Sequence, residues 1–136
     1  MRFLLDTNIF IEIILDQEHS SEAKELLSKI EHEFFISDLS FHSIGFILFR
    51  RKLYDVFSEF SKDMIQIAGT VILSLSAEDI DGIVSSALKF NLDFDDAYQY
   101  FVAEKYDLTI VSFDYDFDRT YRGRKTPLEL LGNKRE

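Results

Sequence analysis

The sequence contains no cysteine, and only one proline and five glycines occur among its 136 residues. The lack of cysteine excludes disulfides, thiol nucleophiles and thiolate metal sites, and it is typical of proteins in a reducing compartment. The scarcity of proline and glycine, together with 46% hydrophobic residues, indicates a compact fold with short connections. We therefore expect one domain over residues 1–136.

Long apolar runs are also missing, since no segment approaches the roughly 18 residues that a membrane span needs. The first residues, Met1 and Arg2, lead directly into a strand-like run and do not resemble an export signal. We expect a cytoplasmic protein with no membrane partner.

Basic residues are few relative to acidic ones. The chain has 15 Lys and Arg residues and 25 Asp and Glu residues, which gives a net charge of −10. This balance disfavours binding to a phosphate backbone, although divalent cations bound to acidic residues would offset part of it. The basic residues form two groups, which are either solvated surface or nucleic-acid contacts. They are Arg50, Arg51 and Lys52, and then Arg119, Arg122, Arg124 and Lys125.

The most informative stretch runs from Leu92 to Phe117 and reads LDFDDAYQYFVAEKYDLTIVSFDYDF. Asp93 is suited to cap a helix whose first turn holds two more acidic residues, including Asp96. A short apolar strand follows at 108–111, and Asp114 comes just after it. Chemistry in open α/β sheets collects beyond the carboxyl ends of the strands, so we expect Asp96 and Asp114 to meet there.

Three further apolar runs predict buried strands, at 3–5, 34–36 and 71–75. Amphipathic helices separate them, and this alternation predicts a three-layer α/β/α sandwich with a parallel sheet. Asp6 follows the first strand and therefore belongs to the same rim as Asp114. Capping is its simplest structural role, as it is for Asn8.

Helical spacing also predicts which apolar residues face inward. For the second helix the inner face is Ala23, Leu26, Leu27 and Ile30; for the helix over 77–90 it is Ile80, Ile83, Val84, Ala87 and Leu88. A stripe of four phenylalanines is either core or the surface of a homodimer or partner groove. Its members are Phe46, Phe49, Phe57 and Phe60.

Asp6, Asp96 and Asp114 come from three separate elements, and we expect them to converge at one rim. Clustered carboxylates repel one another unless a cation or a shared proton relieves the repulsion. With oxygen ligands alone, the preferred ion is Mg²⁺ or Mn²⁺, which assists the hydrolysis of phosphodiester bonds. The pattern therefore indicates a metal-dependent nuclease.

Other acidic motifs fit less well. Asp114, Asp116 and Asp118 have the spacing of a calcium loop, but Arg119 stands where that loop needs glycine and Lys125 where it needs glutamate. Phosphatase and phosphoreceiver motifs would place their clustered acids around the first strand, where this chain has only Asp6. A set of helix caps followed by a solvated acidic loop remains the structural alternative.

The segments LLDTNIF, FDDAYQYFVA and IVSFDYDF, in this order and spacing, resemble the PIN domain family, and in particular its small VapC-type toxin ribonucleases. The resemblance implies a five-stranded parallel sheet, an RNA substrate, usually a homodimer, and for toxins an antitoxin partner. By matching position it also implies roles for individual residues. The metal ligands would be Asp6, Asp96 and Asp114, with Asp116 as a further ligand and Asn8 and Ser112 as supporting residues.

One position departs from the family pattern. Where the family places a glutamate on the helix after the second strand, DLSFHSIG aligns Ser43, with His42 beside it. A hydroxyl holds water but adds no negative charge, so metal affinity should be lower. A PIN-like binding or regulatory module is therefore the alternative to an active enzyme. His42 is interpreted as a surface or core histidine and not as a metal ligand.

Overall fold

The computed structural model describes residues 1–132, except for the side chain of Ile67, so residues 133–136 of the expected domain lie outside the described part. The chain alternates strands and helices. Its elements are β1 (Arg2–Leu5), α1 (Thr7–Ile14), α2 (Ser20–Leu27), β2 (Glu33–Ser37), α3 (Asp38–Arg50), α4 (Tyr54–Ser61), β3 (Val71–Leu73), α5 (Ile80–Phe90), α6 (Phe94–Tyr106), β4 (Thr109–Val111) and α7 (Pro127–Gly132). A π-helical turn at Lys62–Ile67 extends α4, and 3-10 turns occupy Ala77–Asp79 and Tyr115–Arg119.

The strands form a parallel sheet in the order β3-β2-β1-β4, which places β2 and β1 at the centre and β4 beside β1 at one edge. Side chains alternate across the sheet, as the pleat requires. Leu4 and Ile110 enter the core beneath α5 and α6, whereas Phe3, Leu5 and Val111 enter the core beneath α1 to α4. The fold is therefore the predicted three-layer α/β/α sandwich.

The sheet over residues 1–132 has four strands, one fewer than the family resemblance implies. At the edge beside β4, the pairing that a fifth strand would make is reduced to a single bridge between Val111 and Lys125. The Lys125 N–H donates to the Ile110 carbonyl at 2.8 Å, and the Ser112 N–H donates to the Lys125 carbonyl at 3.0 Å. Pro127 then begins α7, so there is no room for a longer strand.

Several helix starts follow the predicted chemistry. The Ser37 side chain accepts the N–H of Ser40 at the start of α3, and Asp93 accepts the N–H of Asp96 at the start of α6. Ser76 and Asp79 form a capping box before α5. At the first helix, α1 begins at Thr7 and Asp6 caps it, which confirms the capping role considered for Asp6; Asn8 lies inside the helix.

Some predicted inner faces were wrong. Ile30 lies beyond the end of α2 and is 97% exposed. On α5 the buried residues are Ile83, Ser86 and Phe90, while Ile80, Val84 and Leu88 are exposed. Gly82 explains this rotation, since a Cβ there would lie 2.3 Å from the Phe101 ring on α6. The glycine lets the two helices approach closely along that side. Of the four phenylalanines left open as core or surface, Phe60 belongs to the core.

None of the helices within the described range is long and apolar enough to cross a membrane.

Candidate metal centre

A cleft opens where β1 and β4 end and α6 begins. Asp6 follows β1, Asp114 follows β4, and Asp96 lies in the first turn of α6. All three line the cleft, as their positions after adjacent parallel strands and at a helix start predict. The other lining residues are Thr7, Asn8, Ile11, Ser43, Phe46, Ile47 and Asp95.

Asp6 is held as a hydrogen-bond acceptor. Its Oδ1 accepts from the Thr7 N–H at 2.8 Å and from Gln99 Nε2 at 3.0 Å, and its Oδ2 accepts from Ser112 Oγ at 2.7 Å. Burial raises the pKa of Asp6, while the bonds from Ser112, Gln99 and Thr7 pull it down and the charge on Asp114 pushes it up. The carboxylate is therefore fixed in position before any ligand arrives.

Asp96 is a second carboxyl group of the cleft whose pKa is raised. It is buried, and burial together with the negative charges of Asp114, Asp93 and Asp6 raises its pKa to about 8. Its protonated form can donate a hydrogen bond to Asp114, which supports the same shift. Ionisation of Asp96 is therefore costly in the metal-free protein, and a bound cation would stabilise its charged form.

The tightest acidic group differs in one member from the predicted set. Asp96, Asp114 and Asp116 each offer a carboxylate oxygen, and these oxygens all lie within 4.8 Å of one another. Asp6 lies beside this group, but its oxygens are engaged by Ser112, Gln99 and Thr7. Because the donors are all carboxylate oxygens, the cluster fits a hard divalent cation such as Mg²⁺ or Mn²⁺.

Ser112 connects the segments that follow β1 and β4. Its Oγ donates to Asp6 and accepts from the Asp114 N–H at 2.9 Å and from Asn8 Nδ2 at 3.3 Å. Asn8 adds a second hydrogen bond between the same segments, because its Oδ1 accepts from the Phe113 N–H at 3.3 Å. The two residues thus lie where supporting residues were predicted, and they fix Asp6 and Asp114 relative to each other.

Ser43 and His42 point to different places. Ser43 lines the acidic cleft, whereas His42 belongs to an apolar pocket on α3 and α4 together with Phe41, Gly45, Phe46, Phe49 and Phe57. The interpretation of His42 as a surface residue and not a ligand agrees with this placement.

Gln99 was not identified from the sequence. Its buried Nε2 donates to Asp6 Oδ1 and, at 2.8 Å, to Ser40 Oγ, which also accepts from Thr7 Oγ1 at 2.9 Å. The available signal was its position three residues after Asp96, which places both side chains on one side of α6. A polar residue on a buried helix face needs a partner, and here the partner is Asp6.

The second basic group serves the fold and does not form a free patch. Arg119 donates to the Phe90 and Asn91 carbonyls and to Asp116. Arg122 donates to the Leu108 carbonyl and Asp107, and Arg124 to the Ser112 carbonyl and Asp118. The interpretation of these three arginines as a nucleic-acid patch is therefore weakened, because each one already donates to a backbone carbonyl and to a carboxylate of the protein.

Asp6→Asn is expected to destabilise the metal-free protein by about 1–3 kcal/mol. The NH₂ group of the asparagine would replace one carboxylate oxygen and face a group that donates to that oxygen in the wild type, so at least one hydrogen bond would be lost. Charge repulsion alone, which was all the sequence revealed, predicts the opposite sign. Thermal unfolding in EDTA measures the difference. Asp95→Asn is the matched control, since it removes an equal charge from an exposed position on the same cleft. Equal stability of Asp6→Asn and the wild type would show that these bonds contribute nothing.

The fold is similar to those of several solved structures. It matches a toxin-antitoxin complex from Klebsiella pneumoniae over 91% of this chain and 96% of the other chain, with a TM-score of 0.70 and 20% identity. VapBC2 from Rickettsia felis, bound to a DNA fragment from its promoter, matches over 93% and 97% with a TM-score of 0.69 and 16% identity. VapC20 from Mycobacterium tuberculosis, described as a toxin that cleaves the sarcin-ricin loop, matches over 86% and 92% with a TM-score of 0.68 and 16% identity.

These identities establish a common fold and no more. The comparison with curated proteins gave no match. The PIN domain profile, however, matches residues 3–123, which include β1 to β4 and every acidic residue of the cleft. The chain therefore belongs to the PIN domain family.

Proposed function

We propose that this protein is a Mg²⁺- or Mn²⁺-dependent endoribonuclease that hydrolyses RNA phosphodiester bonds. The observation that carries the proposal is the cluster of Asp96, Asp114 and Asp116, whose carboxylate oxygens lie within 4.8 Å of one another in the cleft of a PIN domain. Such a cluster is unfavourable unless a cation is bound, and the raised pKa of Asp96 reflects that cost.

Asp96, Asp114 and Asp116 would hold the ion, and Asp6 would complete the site. When bound, Mg²⁺ or Mn²⁺ supplies Lewis-acid stabilisation of the negative charge that develops during phosphodiester cleavage and activates water as the nucleophile. The neighbouring residues of the chain hold these carboxylates in position. Ser112, Gln99 and the Thr7 N–H fix Asp6, and the Asp116 N–H fixes Asp114 Oδ1 at 2.8 Å.

Asp116 carries a second interaction that affects this role. Arg119 Nη1 donates to Asp116 Oδ1 at 2.9 Å, so one carboxylate oxygen already faces a cation of the chain itself. The other oxygen is the one available to an ion. Asp116 would thus be a weaker ligand than Asp96 or Asp114.

The direct test is cleavage of a structured RNA by the purified protein across a Mg²⁺ or Mn²⁺ titration, with EDTA as the reference. We expect endonucleolytic fragments that require the ion. Cleavage that persists unchanged in EDTA would contradict the metal-dependent mechanism.

We also propose that the protein is the toxin of a toxin–antitoxin pair. The structural matches described as toxin–antitoxin assemblies support this proposal, as does the apolar surface of Phe41, Phe46, Phe49 and Phe57 on α3 and α4. Phe46 and Phe49 are 67% and 52% exposed, which is unusual for large apolar side chains without a partner. A short reading frame adjoining the gene, whose product binds the purified protein, would support the pair.

We also propose that the protein forms a homodimer. Exposed Ile80, Val84 and Leu88 on α5, with Phe94 at the start of α6, form an apolar surface in addition to the phenylalanine stripe considered from the sequence. Light scattering of the purified protein, compared with a Val84→Lys variant, distinguishes one chain from two. A monomeric wild type would contradict the proposal.

A catalytically weakened binding module is the second candidate, and Ser43 is the observation that favours it. Ser43 lines the cleft at the position where the resemblance places glutamate, so the cleft has a hydroxyl where a carboxylate is expected. Retention of Asp6, Asp96 and Asp114 in one cleft, with Asp116 clustered beside the last two, favours the enzyme.

Ser43→Glu distinguishes the two candidates by the sign of its effect. In a site that holds a cation, the added carboxylate should tighten ion binding and raise activity at limiting Mg²⁺ by about tenfold, or roughly 1.4 kcal/mol. In a site that never holds one, it would only add repulsion to Asp6, Asp96 and Asp114 and lower stability. Cleavage rates across a Mg²⁺ titration, paired with melting curves, measure both effects, and Ser43→Gln controls for side-chain size.

A further inference from the structure

Tyr115 is an exposed aromatic residue inside the acidic cluster. It lies between Asp114 and Asp116 in the chain and is 77% exposed. The backbone around it is fixed, because Asp114 Oδ1 accepts the Asp116 N–H at 2.8 Å and so caps the 3-10 turn that starts at Tyr115. A large ring is therefore presented to solvent at a defined position beside the proposed ligands.

Arg124 supports this ring from one side. Its guanidinium carbon lies 4.8 Å from the centre of the Tyr115 ring, within the range of a cation–π contact. Arg124 is itself fixed, since it donates to the Ser112 carbonyl at 3.1 Å and to Asp118 Oδ1 at 3.1 Å, and its side chain is only 11% exposed. One face of the ring is thus covered by a fixed cation, and the exposure of the residue leaves ring surface free for a ligand.

Electrostatics alone offers RNA little affinity for this protein. The chain has a net charge of −10, and Arg119, Arg122 and Arg124 direct their donors to carbonyls and carboxylates of the protein. Proteins that bind single strands gain affinity from base stacking on aromatic rings in addition to phosphate contacts. Where phosphate contacts are weak, stacking carries a larger share of the affinity.

We infer that Tyr115 is a stacking platform for an unpaired base of the RNA held at the acidic cleft. This inference rests on the proposed function for the identity of the ligand. The base must be unpaired because, within a helix, neighbouring bases cover its faces and only a splayed-out base presents one.

The chain contains no tryptophan, so Tyr115→Trp creates a single fluorescent reporter at the platform. Fluorescence is recorded on mixing with Mg²⁺ and a short single-stranded oligoadenylate, before cleavage proceeds. We expect quenching by the single strand and little quenching by the same strand in a duplex with oligouridylate. Tyr121→Trp is the matched control: Tyr121 is also 77% exposed and also carries a cation, Lys89 Nζ at 4.6 Å, but it lies outside the cleft.

Kinetics provides the second measurement. Tyr115→Ala is expected to raise KM for a loop-containing RNA by about tenfold, which corresponds to the lower part of the 1–3 kcal/mol found for one stacked base. Tyr115→Phe should retain the wild-type KM, because the ring and not the hydroxyl stacks, and kcat should change little in either variant. Melting curves establish that each variant is folded.

The outcomes separate this inference from the proposed function. Cleavage of RNA with an unchanged KM in Tyr115→Ala, or equal quenching in the Tyr121→Trp control, would overturn the platform and leave the nuclease intact. Specific quenching at position 115 without cleavage by the wild type would support the platform and count against the nuclease. Equal quenching by duplex and single strand would overturn the requirement for an unpaired base.

Discussion

Asp96→Asn is expected to reduce RNA cleavage by about three orders of magnitude while raising the stability of the metal-free protein. The loss of activity follows from removing one carboxylate of the acidic cluster that would bind the cation, at a cost of about 4 kcal/mol of transition-state stabilisation. The gain in stability, on the order of 1–3 kcal/mol near neutral pH, follows because burial and the charges of Asp114, Asp93 and Asp6 oppose ionisation of Asp96.

The two effects are measured by single-turnover cleavage and by thermal unfolding in EDTA. Mg²⁺ at about a hundred times its Kd should stabilise the wild type by about 2.7 kcal/mol and stabilise Asp96→Asn far less. Asp95→Asn, at the exposed neighbouring position, is the matched control and should change neither quantity strongly. Unchanged metal affinity in Asp96→Asn would remove Asp96 from the site.

The metal-free protein is expected to lose stability as the pH rises. The pKa of Asp96 is about 8 in the folded protein and near its ordinary value of 3.8 in the unfolded chain. Between these values the folded state holds a proton that the unfolded state has released, so the contribution of Asp96 to stability is fully present below about pH 4 and is lost as the pH rises toward 8. One such group contributes a slope of up to about 1.4 kcal/mol per pH unit between pH 5 and 7.

Urea unfolding in EDTA at a series of pH values measures this slope. Asp96→Asn should make the slope shallower, because one of the two cleft carboxyl groups with a raised pKa is gone while Asp6 remains. Saturating Mg²⁺ should also make it shallower, because a cation replaces the proton as the partner of the carboxylates. A wild-type stability that rises between pH 5 and 7 in EDTA would contradict the assignment of Asp96 as the dominant buried acid.

Local patterns in the sequence were sufficient for the elements and their caps. Short apolar runs located the four strands of the described sheet, since a buried parallel strand has no polar side and reads as a continuous apolar run. The prediction that the third run is buried was wrong, because β3 is an edge strand that leaves Val71 and Ile72 exposed. Asp6 and Asp93 were recognised as caps because their short polar side chains meet nearby N–H groups. Adjacent strand ends then indicated that Asp6, Asp96 and Asp114 would share one cleft, which they do.

Helical periodicity was a less reliable guide to which residues are buried. It identifies the residues that lie on one face of α5, but it does not show which face meets the sheet. The close approach of Gly82 to Phe101 decided that, and it left Ile80, Val84 and Leu88 outside. Phe60 is buried for a similar reason, because it packs against Phe10 with ring centres 5.4 Å apart, a contact between distant parts of the chain.

The sequence by itself determined the strands, the parallel α/β class and the acidic residues that follow strand ends, because these depend on neighbours in the chain. Only the tertiary structure decided how those acids are used. Contacts across about a hundred residues, from Gln99 and Ser112 to Asp6, turn Asp6 into a fixed acceptor and leave Asp96, Asp114 and Asp116 as the compact group. The fold of the segment after β4 likewise directs Arg124 to the Ser112 carbonyl and places its guanidinium over the Tyr115 ring, contacts that no periodic pattern along the chain specifies.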